Sequence, residues 1–202
     1  MLQNVILDIG DVLVHSNYRR FFREKGYDDA MIEQLAAATF LSPAWSELDR
    51  GVWSFDRLME AFVQNDPEIE DALRGVFDDT SGFVIAFPYA QDWIRRMQSE
   101  GLRVYCLSNI SDLIYHGCER EFDFLKLVDG QVLSYQEKLV KPDPAIYRLL
   151  LDRYGLDPGA SVFVDNTEEN VNVAKRLGLR GIVFLSQPQA AEEIERMRRE
   201  AP

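Results

Sequence analysis

The sequence has 202 residues, with 34 Asp and Glu against 22 Lys and Arg and a net charge of -12. That acidity argues against a general affinity for nucleic acid or anionic membrane, because such binding rests on neutralising phosphate. Hydrophobic content of 47% with 28% charged residues fits a soluble globular chain, long enough for one well-buried core and a small insert.

Residues 4–14, NVILDIGDVLV, open with the β-branched, uncharged character of a central parallel strand. Asp8, Gly10 and Asp11 are poor strand formers and stand where that strand should stop, so Asp8 is expected at a carboxyl edge, where open α/β sheets bind ligands. Residues 15–25 carry Tyr18, Phe21 and Phe22 at helical spacing, and from there to Phe87 only helix-like patterns occur. They are expected over residues 28–40, over 42–50 with Pro43 at the start, from a Ser54 cap through Phe62, and from Asp66-Pro67 to Asp78.

The α/β rhythm resumes at Pro88. A helix over 89–100 closed by Gly101 precedes a strand at 103–107 and the polar exit Ser108-Asn109. Residues 111–124 read as helical or irregular, a short strand is expected at 131–134, and a loop follows through Lys138 and Lys141. A helix over 145–154 starts after Pro142-Asp143-Pro144, and a central-type strand at 161–164 ends on Asp165-Asn166. A helix over 167–177, a strand over 181–185 and an Arg- and Glu-rich helix from Pro188 complete the chain. Five strands separated by helices predict a doubly wound parallel sheet of the α/β class. The first two strands lie about 95 residues apart, where a crossover needs only a dozen or so. Residues 15–87 are therefore expected to form a small inserted helical domain over the edge that carries Asp8, with 1–14 and 88–202 as the core.

Cys106 and Cys118 are the only thiols, which suits a reducing compartment. No run nears the roughly 18 apolar residues of a membrane span, and the amino terminus enters a strand without a basic segment or cleavage site, so a cytoplasmic location is expected.

Four polar clusters thus fall at strand ends: Asp8 with Gly10 and Asp11, Ser108-Asn109, Lys141, and Asp165-Asn166 with Asn170. Each alone has an ordinary reading, as a helix cap or a surface lysine. In this order and spacing, LDIGDVLV, LSN, KPDPAIY and FVDNTEENV resemble the four motifs of the haloacid dehalogenase superfamily, over almost the whole chain, and the insert resembles its first-type helical cap. LDRG at residues 48–51, followed by Ser54, is similar to a stretch linking cap helices in small sugar-phosphate phosphatases of that group.

The resemblance implies a Mg2+-dependent phosphatase of small phosphorylated metabolites, sugar phosphates among them. Asp8 would be the nucleophile that forms an aspartyl-phosphate. Ser108 would bind the transferring phosphoryl with help from Asn109, and Lys141 would neutralise its oxygens. Asp8, the Gly10 carbonyl, Asp165 and Asn166 would hold Mg2+, with Asn170 in support, an all-oxygen set that suits this ion. Arg50 is the first choice for a further substrate contact. Two departures stand out. Gly10 replaces the second aspartate that serves most of these phosphatases as general acid and base, leaving Asp11 and His15 as candidates, and Asn166 replaces a carboxylate. These departures keep two other readings open: a metal-free 2-haloacid dehalogenase in which Asp8 attacks carbon, and a binding protein without turnover. The oligomeric state is not legible.

Overall fold

The computed structural model describes residues 1–200. Its core is a five-stranded, wholly parallel sheet whose first strand, β1 (Asn4–Leu7), lies in the middle with all four residues buried. An uncharged sequence with β-branched Val5 and Ile6 at its centre is what such a doubly covered strand requires.

Beyond β1 the chain forms β2 (Val14–Ser16), then the helices α1 (Tyr18–Glu24), α2 (Asp29–Ala38), α3 (Ala44–Arg50), α4 (Phe55–Asn65) and α5 (Glu70–Phe77), and returns through β3 (Val84–Ala86). Strands β2 and β3 pair antiparallel as a separate two-stranded ribbon at the root of the insert. This corrects the expectation of helix alone from residue 15 to 87: His15 and Ser16 are in a strand, and α1 starts only after its Asn17 cap. Each ribbon strand is three residues long and buries one side chain, so neither carries a readable alternation. Inside the insert, Phe22, Phe40, Trp45 and Phe83 pack as an aromatic cluster, with the Phe40 and Trp45 rings 4.4 Å apart.

The core then runs α6 (Ala90–Ser99), β4 (Arg103–Ser108), α7 (Asp112–Gly117), β5 (Gly130–Leu133), α8 (Ser134–Glu137), α9 (Pro144–Tyr154), β6 (Ser161–Asp165), α10 (Glu168–Arg176), β7 (Arg180–Val183) and α11 (Gln187–Arg199). The strand order is β5-β4-β1-β6-β7. Alternate residues of β1 face opposite ways. Val5 and Leu7 join a cluster with Trp93, Ile94 and Ile194 from α6 and α11, whereas Ile6 joins Ile146, Tyr147 and Val171 from α9 and α10. Each fully buried side chain of this size contributes about 1.5–3 kcal/mol. Two helical layers thus cover one sheet, and the connections diverge on either side of β1, which opens a crevice at its carboxyl end. No helix of the described residues is long and apolar enough to cross a membrane.

Candidate active site

Three strands deliver the polar residues to one place. Parallel pairing in register sets Leu7 of β1 beside Cys106 of β4 and Val164 of β6, so Asp8 just after β1 and the last residues of β4 and β6, Ser108 and Asp165, stand at the same edge of the sheet. Lys141 enters from the loop before α9. Its Nζ lies 2.7 Å from Asp8 Oδ1 and 2.6 Å from Asp165 Oδ2, with only 2% of the side chain exposed.

Asp8 Oδ1 also accepts the Ile9 N–H at 2.7 Å, while no hydrogen bond from the described residues reaches Oδ2. With 10% of its side chain exposed, Asp8 keeps one oxygen free and reachable. Burial pushes its carboxyl up to about 6; Lys141 and the Ile9 N–H pull it down and Asp165 adds to the rise. Burial likewise opposes the charge of Lys141, but the two carboxylates outweigh it and hold the ammonium above its ordinary value.

Asp165 is wholly buried. Its Oδ1 accepts from Thr167 N and Asn170 Nδ2, and its Oδ2 from Lys141 and the same Asn170 amide. Asp165 thus fixes Lys141, and both of its oxygens accept from donors of the described residues. Asn170 supports Asp165. The oxygens left for a cation are Asp8 Oδ2, the Gly10 carbonyl, which accepts no hydrogen bond from the described residues, and the exposed Asn166 side chain. These are hard oxygen donors and suit Mg2+ completed by water, although a single carboxylate among them makes for weak binding.

Ser108 is buried, and its hydroxyl makes only a long 3.4 Å contact to the Asn109 carbonyl, which leaves it available to a ligand. The Asn109 side chain, expected to touch substrate, is instead turned to the backbone of Lys141: Oδ1 accepts its N–H at 2.7 Å and Nδ2 donates to its carbonyl at 2.9 Å. Arg50 pairs with Glu47 at 3.4 Å and does not line the cavity. Asp11 accepts from Ser16 N and lies 3.4 Å from His15 Nδ1; both side chains are about half exposed and His15 rests on Phe87, outside the cavity.

A cavity of about 260 Å³ lies between insert and core. Gly10, Ser108 and Asn109 line its core side, and Tyr18, Phe40, Trp45 and Phe83 its insert side. Asp49, at the end of α3, is the one charged side chain in the lining. Burial pushes its carboxyl up to about 7; Lys141 pulls it down and Asp8 adds to the rise. The sequence reading passed over Asp49 in favour of Arg50. The helical spacing held the signal, because Asp49 is four residues after Trp45 and shares its face, whereas Arg50 is three after Glu47 and shares that one.

The chain is 32% identical over 109 residues to mouse acyl-CoA dehydrogenase family member 10, covering 54% of this chain and 10% of that protein. It is 25% identical over 114 residues to (S)-2-haloacid dehalogenase 4A of Burkholderia cepacia, covering 56% of this chain and 48% of that one. It therefore spans between a tenth and about half of these two relatives. Phosphatase MT3486 of Mycobacterium tuberculosis is 25% identical over 170 residues, with 84% of this chain and 70% of that protein covered. The crystal structure of the HAD family enzyme bt-2542 from Bacteroides thetaiotaomicron, in complex with magnesium and inorganic phosphate, superposes with a TM-score of 0.70 at 20% identity over 93% of this chain and 96% of that one. The family model described as haloacid dehalogenase-like hydrolase matches residues 2–178, and the chain belongs to that family.

Proposed function

We propose that this hydrolase is a Mg2+-dependent phosphatase of small phosphorylated metabolites that acts through an aspartyl-phosphate on Asp8. The observation that carries the reading is the buried cluster itself, one free carboxylate oxygen and one ammonium held by two carboxylates, with the neighbouring Ile9 and Gly10 and the unengaged Ser108 hydroxyl lining a cavity beside it.

Asp8 attacks phosphorus through a carboxylate oxygen, and the bond from phosphorus to the ester oxygen breaks with its electron pair leaving on that oxygen. Lys141 offsets the charge on the phosphoryl oxygens and on Asp8, and Asp165 with Asn109 keeps it in place. The Ser108 hydroxyl donates to the phosphoryl group. Asp8, Gly10 and Asn166 would hold Mg2+, which when bound supplies further positive charge to the phosphoryl group. A protein of net charge -12 must gather such local positive charge to admit an anion. The phosphatase relative and the magnesium and phosphate complex of bt-2542 support this choice of chemistry.

Aromatic and aliphatic side chains together make up most of the lining, which suits a compact, weakly polar alcohol better than the sugar expected from sequence. Two buried free cysteines are consistent with a cytoplasmic setting. Purified protein should hydrolyse an aryl phosphate in the presence of Mg2+, and Asp8→Asn should abolish this while the fold is retained; unchanged hydrolysis by the variant refutes the reading. A metal-free dehalogenase is favoured by one observation, that both Asp165 oxygens are engaged by Lys141, Thr167 and Asn170. Chloride release from 2-chloropropionate that a chelator leaves unaffected would decide for it.

A further inference from the structure

Gly10 leaves the site without the carboxylate that protonates a departing alkoxide, yet nothing about its backbone demands glycine. It lies outside the left-handed region, and a Cβ built on it meets no atom within 4 Å. The space where that side chain would project is open, and Gly10 is part of the cavity lining.

Asp49 is the one acid that faces this space. No hydrogen bond or ion pair from the described residues reaches its carboxylate, while the charges of Asp8 and Lys141 both act on it. Its backbone is fixed to the core: the Ser134 hydroxyl donates to the Asp49 carbonyl at 2.6 Å and Lys138 Nζ to the Gly51 carbonyl at 2.6 Å. Gly51 closes α3 at φ 67°, where a Cβ would come within 3.0 Å of the Tyr135 carbonyl oxygen, so only glycine allows this close approach. An unpartnered carboxyl on an anchored helix end is a preorganised proton carrier.

We propose that Asp49, supplied by the insert, is the acid–base residue of this site and takes the place left by Gly10. The inference rests on the aspartyl-phosphate reading of Asp8. In the first step the bond between phosphorus and the ester oxygen breaks, and that oxygen takes the proton of the Asp49 carboxyl and leaves as the alcohol. In the second, water attacks phosphorus and gives its proton to the Asp49 carboxylate, and the bond to Asp8 breaks with its electron pair returning to Asp8. The cycle restores both groups.

The test compares p-nitrophenyl phosphate, whose leaving group needs little protonation, with n-butyl phosphate, whose leaving group needs it fully, both with Mg2+. Asp49→Asn should lower kcat/KM on butyl phosphate by about 100-fold or more. On the aryl ester the same variant should release close to one equivalent of nitrophenolate per Asp8 in a stopped-flow burst and then turn over slowly. Adding Gly10→Asp, for which the cavity has room, should return about tenfold or more of the butyl phosphate activity. Asp49→Ser is carried alongside against misfolding of the amide, and the same pattern is required of it. Butyl phosphate activity within about threefold of the parent, or equal loss on both esters without burst or rescue, overturns the role of Asp49. Asp8→Asn run in parallel separates the two claims, since its retention of activity would sink the aspartyl-phosphate reading itself.

Discussion

Replacing Lys141 by Met keeps most of the side-chain volume and removes only the ammonium, so the consequence is electrostatic. The wild-type ammonium faces two carboxylates at 2.7 and 2.6 Å, with side-chain exposures of 10% for Asp8 and 0% for Asp165. Removing one partner from such a buried cluster leaves uncompensated charge and costs about 3–5 kcal/mol. The folded variant can escape that cost by binding protons. Asp8 stands at about 6 even with Lys141 lowering it, and loss of the lysine raises it further. A carboxyl raised in the folded state contributes stability that is fully present below its unfolded value, about 3.9, and is lost as pH rises through its folded value. The deficit of Lys141→Met should therefore be small at pH 5 and grow toward pH 8, by up to about 1.4 kcal/mol per pH unit for each proton retained only in the folded state. Urea unfolding of both proteins in EDTA across that range measures it, because the chelator removes any cation that would stand in for the lysine. A deficit below about 1 kcal/mol at pH 8, or one that does not change with pH, would refute the buried-cluster argument.

Two further substitutions probe how the site is held. Asn109→Ala removes both hydrogen bonds to the Lys141 backbone and should cost about 1–3 kcal/mol in urea unfolding, with kcat lowered more than KM is raised; a KM effect alone would return Asn109 to substrate contact. Gly51→Ala should destabilise the protein by about 1–3 kcal/mol, through left-handed backbone strain and the approach to Tyr135, and should weaken turnover by loosening Asp49; full stability would deny the close docking of α3 on the core.

The central strands β1, β4 and β6 were legible because each carries an unbroken apolar run followed by a polar exit. Parallel pairing in register brings Asp8, Ser108 and Asp165 to one edge of the sheet, and the loop before α9 carries Lys141 Nζ onto Asp8 and Asp165. The ribbon of β2 and β3 was not legible, since three-residue strands paired across some 70 positions leave no local pattern. Side-chain direction was the other blind spot. Asn109 turns to a backbone 32 positions away and Asp165 fills both its oxygens, facts that residue type does not carry. Arg50 was the first choice in this stretch, but its neighbour Asp49 is the charged residue that lines the cavity.

The central claim is that Asp8 bonds covalently to phosphorus. Wild-type protein and Asp49→Asn, mixed with p-nitrophenyl phosphate and Mg2+, quenched in acid and digested, test it by peptide mass. The account predicts one phosphoryl group on the peptide containing Asp8, more abundant in Asp49→Asn and absent from Asp8→Asn. Phosphate release without any phosphorylated Asp8 peptide in either protein, or the same modification persisting in Asp8→Asn, would contradict it.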